Sequence, residues 1–324
     1  MRFRLAAAVL AAALAGLAAA SAAAADGNPL GAVQGGSGIV GPNDVRYTAI
    51  WDGLTTVLLA TSTDDGTAYN SVTLGGSWGV PILGWNGLAG GLGHDGRTLV
   101  LADTGAGQPL KRRSSFAVLD VKRFRLLQEI RLRGDFAFDA LSPSGRMLFL
   151  IQHVDRSDTT HYVVRAYDRW RLRLLPGRIA DRTQKSWVMQ GYPLTRTTSA
   201  DGRWVYTLYT NPGGTPFVHA LDTVGMKAHC VGVPWPSKNQ DALATMTLAL
   251  HGDGLALSRR GGARYLSIDT RSWRVSLAQP GFPWWTLAAG LGGALAVVLA
   301  VGAVAVRLRG RVARRRTGPR LAVS

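Results

Sequence analysis

The chain has few of the side chains that most often build catalytic or metal centres. It contains one cysteine, Cys230, and one glutamate, Glu129, among 324 residues, and its six histidines are scattered. None of the histidines has the spacing of a zinc-protease or paired-ligand motif, and the nucleophile-elbow, Walker and dinucleotide-binding motifs do not occur. We therefore predict no catalytic residues, no metal site and no cofactor.

The single cysteine also limits how the fold is held together. Cys230 forms no disulfide within the chain, so a stable domain has to rely on its hydrophobic core. A cysteine inside an apolar strand pattern fits a small buried side chain. We expect a structural role for Cys230.

Acidic residues are scarce, with 20 Asp and Glu against 37 Lys and Arg. Nine of the arginines flank the apolar runs at the two ends of the chain, which leaves 28 basic residues against the 20 acidic ones in the middle. The basic excess therefore reflects membrane topology more than nucleic-acid binding, and no nucleic-acid partner is expected. The content of alanine, glycine and arginine, with few lysines, is typical of a bacterium with a GC-rich genome.

The N-terminus has the pattern of a secretory signal. Arg2 and Arg4 precede an apolar stretch, and an alanine-rich segment ends at Ala25 before Asp26. A short basic region, an apolar core and a small-residue cleavage site are the three parts of a signal peptide. We predict cleavage near Ala25; the alternative is an uncleaved N-terminal anchor.

An apolar run near the C-terminus has the length of a membrane span. Residues 284–306 carry no charge, and a helix of this length, at about 1.5 Å per residue, crosses a hydrocarbon core of about 30 Å. Trp284 and Trp285 suit the headgroup region, and the arginines that follow the run mark the cytoplasmic side. We expect a single-pass protein of the cell membrane. Its predicted segments are a signal peptide (1–25), a linker or closing strand (26–44), an ectodomain (45–280), a transmembrane helix (284–306) and a basic cytoplasmic tail (307–324).

A glycine-containing turn recurs through the middle of the chain. Gly96, Gly145, Gly202 and Gly254 are 49, 57 and 52 residues apart. Each lies before a strand of alternating apolar residues, as expected for a hairpin turn that needs positive φ. The turn residues to which we assign a structural role are Asp95, Gly96, Gly145, Asp201, Gly202, Asp253 and Gly254.

A strand that ends in aspartate follows each of these turns. An aspartate at this position caps the next turn through its side chain, and the four residues are Asp120, Asp168, Asp222 and Asp269. Another strand follows each time, and residues 47–74 form an earlier, weaker copy. The pattern predicts five units, each of four short strands.

The repeat resembles the WD-like and YVTN-type (surface-layer-like) propeller repeats. The resemblance rests on the Ser-x-x-Gly-Arg turn, as in Ser142 to Arg146, and on the aspartate-ended strand, and it covers residues 45–278. It implies an all-β fold, a β-propeller of about five four-stranded blades in which each blade seals its neighbours. The inner strand of the first blade comes from residues 30–42 or from the segment before the membrane. The alternative is a six- or seven-bladed ring with degenerate copies.

Arginines and tryptophans recur in the loops that we expect on one face of this ring. Cations with interspersed aromatic rings bind anionic or sugar-bearing partners. In the alternative interpretation, the tryptophans fill seams between blades and the cations are solvated. The candidate ligand-binding residues are Arg112, Arg113, Arg156, Trp78, Trp187 and Trp235.

Two functions fit these patterns. The first is a binding or scaffold module at the cell envelope, whose partner is an envelope protein, an anionic wall polymer or both. The second is a lactonase-like hydrolase with an axial carboxylate and a metal, for which Asp139 is the first candidate. Propellers host binding, scaffolding and catalysis alike, so the fold does not decide. Several carboxylates or imidazoles within about 5 Å of one point would favour the hydrolase.

Overall fold

The computed structural model describes residues 31–105, 110–184, 186, 188–236 and 240–278. The predicted signal peptide, transmembrane helix and cytoplasmic tail lie outside these residues. In the part of the chain that is described, no helix is long and apolar enough to cross a bilayer.

Within the described residues, five antiparallel sheets follow one another and confirm the predicted all-β propeller. We number them blades 1 to 5 in chain order. In each blade the chain runs as a meander from an inner first strand to an outer fourth strand. The five-unit count from the sequence therefore agrees with the five sheets.

The strands have the following bounds. Blade 1 comprises β2 (Ile39–Val40), β3 (Val45–Trp51), β4 (Thr55–Ser62) and β5 (Ala68–Gly75). Blade 2 comprises β6 (Trp78–Pro81), β7 (Thr98–Asp103), β8 (Arg113–Asp120) and β9 (Arg125–Arg133), with β1 (Ala32–Val33) paired to β6. Blade 3 comprises β10 (Asp135–Leu141), β11 (Met147–His153), β12 (His161–Asp168) and β13 (Arg173–Leu174), with β14 (Met189–Gln190) paired to β12. Blade 4 comprises β15 (Pro193–Thr198), β16 (Trp204–Tyr209), β17 (Phe217–Asp222) and β18 (Lys227–Gly232), and blade 5 comprises β19 (Met246–His251), β20 (Gly254–Arg259), β21 (Arg264–Asp269) and β22 (Val275–Leu277).

The inner strand of blade 1 comes from residues 30–42, the first of the two predicted sources. Ile39 and Val40 of β2 pair with Tyr47 and Arg46 of β3. All the strands of blade 1 therefore come from one continuous N-terminal stretch. Among the described strands, none from the C-terminal part of the chain joins this blade.

Apolar side chains seal four of the seams between neighbouring blades. Because successive side chains of a strand point to opposite faces, each central strand contributes to the seams on both of its sides. Representative buried residues are Leu58 and Leu99 between blades 1 and 2, Phe116 and Leu148 between blades 2 and 3, Phe149 and Tyr209 between blades 3 and 4, and Leu208 and Leu257 between blades 4 and 5.

The seam between blade 5 and blade 1 is different. Among the described residues, no buried apolar cluster joins these two blades. The face of blade 5 opposite its packed face carries small polar side chains such as Thr247, Ser258 and Ser267. On the second face of blade 1, Leu59 is only partly buried and Ile50 is exposed. Apolar packing thus seals four seams of the described ring.

An arginine–aspartate ion pair is repeated in three blades. The arginine that follows the turn glycine donates to the aspartate that ends the third strand; in blade 4, Arg203 Nε and Nη2 lie 3.0 and 2.7 Å from the Asp222 oxygens. The same Asp222 accepts the backbone N–H groups of Val224 and Gly225, which caps the next turn as predicted. The three pairs are Arg97–Asp120, Arg146–Asp168 and Arg203–Asp222.

These ion pairs keep their carboxylates charged well into the acid range. The guanidinium of Arg97 holds the pKa of Asp120 at about 2, and that of Arg146 does the same for Asp168. Stability that comes from the two pairs is therefore present above the ordinary carboxyl pKa and is lost as the pH falls towards 2.

Blade 5 departs from the repeated turn. Asp253 stands where the other blades have the paired arginine, because the next residue, Gly254, pairs with Asp269 as Trp204 pairs with Asp222. Asp269 accepts hydrogen bonds from its own turn. The turn glycine with positive φ is Gly252 (φ 57°), whereas Gly254 begins β20. The assignment of Asp253 and Gly254 to the turn is therefore wrong by one position. His251 pairs with Gly254, so the turn of blade 5 consists of Gly252 and Asp253 and is two residues shorter than the turns of blades 2 to 4.

Candidate binding face and central channel

The loops of the propeller divide between two faces. Loops from the second to the third strand, and from the fourth strand to the next blade, lie at what we call the upper face. Turns between the first and second strands, and between the third and fourth, lie at the lower face. This division follows from the antiparallel order of the strands in each blade.

The basic loop of blade 2 is anchored at the upper face by Lys111. Its Nζ lies 2.6 Å from Asp103 Oδ1, and its backbone N–H donates to Asp135 Oδ2 at 3.0 Å. Burial alone would raise the pKa of Asp135, but the hydrogen bonds from His153 and from the Lys111 backbone outweigh it and lower this pKa. The charged Asp135 therefore ties the loop to the start of blade 3.

The three predicted arginines are exposed at the upper face of two adjacent blades. Arg112 and Arg113 follow the anchoring lysine in blade 2. In blade 3, Asp155 Oδ1 accepts the backbone N–H and the hydroxyl of Ser157 at 2.8 and 2.6 Å, and this turn leaves Arg156 exposed. A shared ligand for these arginines stays a prediction.

The described tryptophans of the predicted face fill seams. Trp78 is 6% exposed, packs between blades 1 and 2, and donates its indole N–H to Gly75 O at 2.6 Å. Trp235 packs against the cluster between blades 4 and 5, with its ring 5.2 Å from that of Tyr265. Both positions agree with the seam-filling alternative. Trp187 lies outside the described residues.

A hairpin at residues 82–89 crosses the central channel. It leaves the inner edge of blade 2, and Ile82 bridges Ala89 at its base. At its tip, the backbone N–H of Trp85 donates to Pro193 O at 2.8 Å. Pro193 begins the inner strand of blade 4, and blades 2 and 4 are not neighbours in the ring, so the hairpin reaches across the channel.

The channel holds an ion pair at the position that the hydrolase hypothesis singled out. Asp139 is 2% exposed, and its carboxylate accepts a hydrogen bond from the guanidinium of Arg196. Arg196 also donates to the backbone oxygen of Asp139 and to Thr207 Oγ1. The two charged side chains and His94 line a cavity of about 390 Å³.

The geometry at Asp139 differs from the carboxylate or imidazole cluster that the hydrolase hypothesis requires. The Asp139 carboxylate accepts its hydrogen bond from the Arg196 guanidinium. Among the described residues, no three His, Cys, Asp or Glu side chains lie together in a metal-binding cluster. A carboxylate with a paired guanidinium has the character of a structural ion pair.

Cys230 lies beside His219, but the pair lacks the charges of a nucleophile and its base. The cysteine Sγ is 3.5 Å from His219 Nδ1. Burial lowers the pKa of His219 to about 4 and raises that of Cys230 to about 12. Both groups are therefore neutral at pH 7, whereas a reactive cysteine is a thiolate. Cys230 lies on strand β18, as the structural interpretation predicts.

Trp85 is a candidate that the sequence reasoning missed. Its side chain is 51% exposed, and its ring centroid lies 6.4 Å from that of Tyr192. In the sequence it lies in the turn Gly84-Trp85-Asn86-Gly87. A tryptophan between two turn glycines was the signal available, because such a turn leaves few apolar neighbours to cover the ring.

The chain is only remotely similar to the solved structures that it matches. No protein-family model and no curated protein sequence matches the chain. Among solved structures, hydrazine synthase of Kuenenia stuttgartiensis is similar at 17% identity and a TM-score of 0.44, over 71% of this chain and 63% of that one. TolB of Acinetobacter baumannii is similar at 13% identity and a TM-score of 0.37, over 73% and 52%. The Dos1 propeller is similar at 13% identity and a TM-score of 0.44, over 74% of this chain and 57% of that one.

The chain thus spans 63%, 52% and 57% of the length of these three chains. At such identities and TM-scores, the likeness carries no argument about activity or partners. The assignment as a β-propeller rests on the five sheets of this chain and on the packing between them.

Proposed function

We propose that the protein is a membrane-tethered, extracytoplasmic β-propeller that binds a partner at the cell envelope. The observation that carries the location is the uncharged run at 284–306, with two tryptophans on the propeller side and an arginine cluster on the other. The N-terminal signal pattern is consistent with export of the propeller. A propeller presents loops from many blades on one face, which suits binding.

The upper face supports an anionic partner. Arg112, Arg113 and Arg156 are exposed at the upper face. The carboxylates of Asp135 and Asp155 accept hydrogen bonds from the neighbouring backbone, so the cationic groups extend from fixed backbones. Guanidinium groups bind phosphate and carboxylate in bidentate geometry. An anionic wall polymer, or an acidic surface of an envelope protein, is the partner that this charge favours.

The orientation is tested by cysteine labelling of the full chain in bacterial cells. On a Cys230→Ala background, Ser157→Cys at the upper face should react with a membrane-impermeant maleimide in intact cells. Ser324→Cys in the tail should react only after the membrane is permeabilised. Labelling of the tail from outside, with protection of residue 157, would overturn the proposed location.

Binding is tested with a soluble glycerol-phosphate polymer as the anionic probe. The triple variant Arg112→Ala/Arg113→Ala/Arg156→Ala should bind at least about tenfold more weakly, a change of about 1.4 kcal/mol, and its binding should depend less on salt. The matched control Lys122→Ala/Arg123→Ala/Arg125→Ala removes the same charge from the exposed third-to-fourth-strand turn of blade 2, at the lower face. Equal losses in the two variants would mean that net charge, and not the upper face, governs binding.

A further inference from the structure

The tip of the channel-crossing hairpin is fixed to blade 4. The backbone N–H of Trp85 donates to Pro193 O at 2.8 Å, and that of Asn86 donates to Leu194 O at 3.4 Å. A Cβ atom on Gly84 would lie 2.8 Å from Leu194 O, so the close approach of the two backbones requires glycine there. The hairpin tip is therefore a rigid platform.

This platform presents a half-exposed indole ring. Trp85 is 51% exposed, although other apolar residues of the hairpin, such as Leu83, are buried in the channel. Other residues therefore fill the channel, and Trp85 is not needed for that. An aromatic ring with a fixed backbone loses little conformational entropy when a ligand stacks on it.

A groove of about 580 Å³ opens beside this ring. Its volume lies within the usual range for small-molecule sites, which is about 300–1,000 Å³. The residues that line it and enter the argument are Trp85, Tyr192, Thr210, Pro212, Gln240 and Asp241.

The walls of the groove are held in place by hydrogen bonds that cross between loops. Gln240 Nε2 donates to Asn211 O and Gly214 O, both at 2.9 Å, and Gln240 Oε1 accepts the Asn211 N–H at 2.8 Å. The Tyr192 N–H donates to Thr210 Oγ1 at 3.0 Å. The upper loops of blade 4 and the connection to blade 5 are therefore preorganised around the groove.

The chemistry of the lining selects a neutral, hydroxyl-rich ligand. Trp85 and Tyr192 offer apolar ring faces, while the Thr210 hydroxyl and the Asp241 carboxylate add polar groups at the edge. Among the described residues that line the groove, none carries a positive charge that would bind an anionic ligand. Sugar rings combine apolar C–H faces with peripheral hydroxyls, which matches this pattern.

We propose that the Trp85–Tyr192 groove binds an uncharged β-1,4-linked oligosaccharide. Equatorial linkages keep the sugar chain extended, and the axial C–H groups of each pyranose ring form an apolar face that stacks on an aromatic side chain. This inference deepens the proposed binding role of the upper face and rests on it. It adds a saccharide subsite on blades 4 and 5 to the basic loops on blades 2 and 3.

The test is calorimetric titration of the full-length chain, kept in solution by a detergent without a sugar headgroup. Cellotetraose and chitotetraose are the two β-linked probes, and their comparison shows whether the acetamido group contributes. We expect a Kd of roughly 0.1–1 mM for at least one of them. Maltotetraose, whose α-linkages curve the chain, should bind more weakly.

Trp85→Leu should weaken binding at least about tenfold, whereas Trp85→Tyr should retain most of it. The matched control is Trp170→Ala, which removes a 71% exposed tryptophan at the lower face, where the ring stacks under Arg146. An unchanged far-ultraviolet circular dichroism spectrum shows that each variant is folded. Unaltered affinity in Trp85→Leu, or failure of both β-linked probes to bind, would overturn the inference, and equal binding of maltotetraose would overturn the linkage preference.

The outcome is separable from that of the proposed function. The triple variant at Arg112, Arg113 and Arg156 should bind the oligosaccharide normally. If the sugar does not bind, but residue 157 is labelled from outside and the anionic polymer still binds, only the proposed saccharide subsite is wrong. If the sugar binds but residue 157 is protected from the maleimide in intact cells, the proposed role at the envelope is wrong and the saccharide subsite stands.

Discussion

Arg196→Met is expected to lower the free energy of unfolding by about 3–5 kcal/mol. The side chains of Arg196 and Asp139 are both almost fully buried beside the channel. Removal of the guanidinium leaves the Asp139 carboxyl group buried and without its partner, which is among the most destabilising changes that a single substitution makes. Urea denaturation followed by circular dichroism measures the effect.

Two further variants separate the ion pair from simple loss of a large side chain. Arg131→Met removes an arginine from an exposed ion pair with Glu129 and should change stability little. The double variant Asp139→Leu/Arg196→Met should be more stable than Arg196→Met alone, because no charge is left unpaired. A cost for Arg196→Met as small as that for Arg131→Met would show that water solvates the pair.

Leu58→Ala should cost about 2–5 kcal/mol, and Leu59→Ala should cost much less. The two leucines are neighbours on β4 and point to opposite faces. Leu58 is fully buried against blade 2, whereas Leu59 faces the side of blade 1 that meets no apolar cluster among the described residues. The cost of Leu→Ala follows the cavity left behind, which is small where the side chain is already partly solvated.

The comparison tests the seam between blades 5 and 1 within one strand. Both variants are measured by the same denaturant titration, and each acts as the control for the other because the residue type and the strand are shared. A cost for Leu59→Ala equal to that for Leu58→Ala would mean that the second face of blade 1 is covered as tightly as the first. In that case all five seams would be sealed.

The hairpin at 82–89 divides the axis of the propeller into two environments. On one side lies the channel cavity with the Asp139–Arg196 pair, and on the other lies the upper groove beside Trp85. The buried ion pair is suited to holding inner strands in register. The groove, with an exposed ring on a fixed backbone, is suited to binding. The hydrolase and binding hypotheses therefore separate by location as well as by chemistry.

The sequence by itself determined the repeat, the strand order within a blade and the role of the strand-end aspartates. Those features are local. Alternation of apolar residues defines a strand, and a turn glycine adopts positive φ within its own turn. Asp222 likewise caps a turn only two residues away. The same locality explains the error at Gly254. The letters Asp-Gly lie in the longer turns of blades 2 and 4 and also at Asp253-Gly254, and only the pairing of β19 with β20 shows that the turn of blade 5 is shorter.

Only the tertiary structure decided which side chains of the upper face are exposed. Trp78 and Trp85 are seven residues apart in similar glycine-rich surroundings, yet the first is buried in a seam and the second stands at the tip of a hairpin across the channel. The Asp139–Arg196 pair joins residues 57 positions apart, and the open seam depends on which blades meet. Burial and ion pairing of this kind depend on contacts between distant parts of the chain, and no local pattern of residues specifies them.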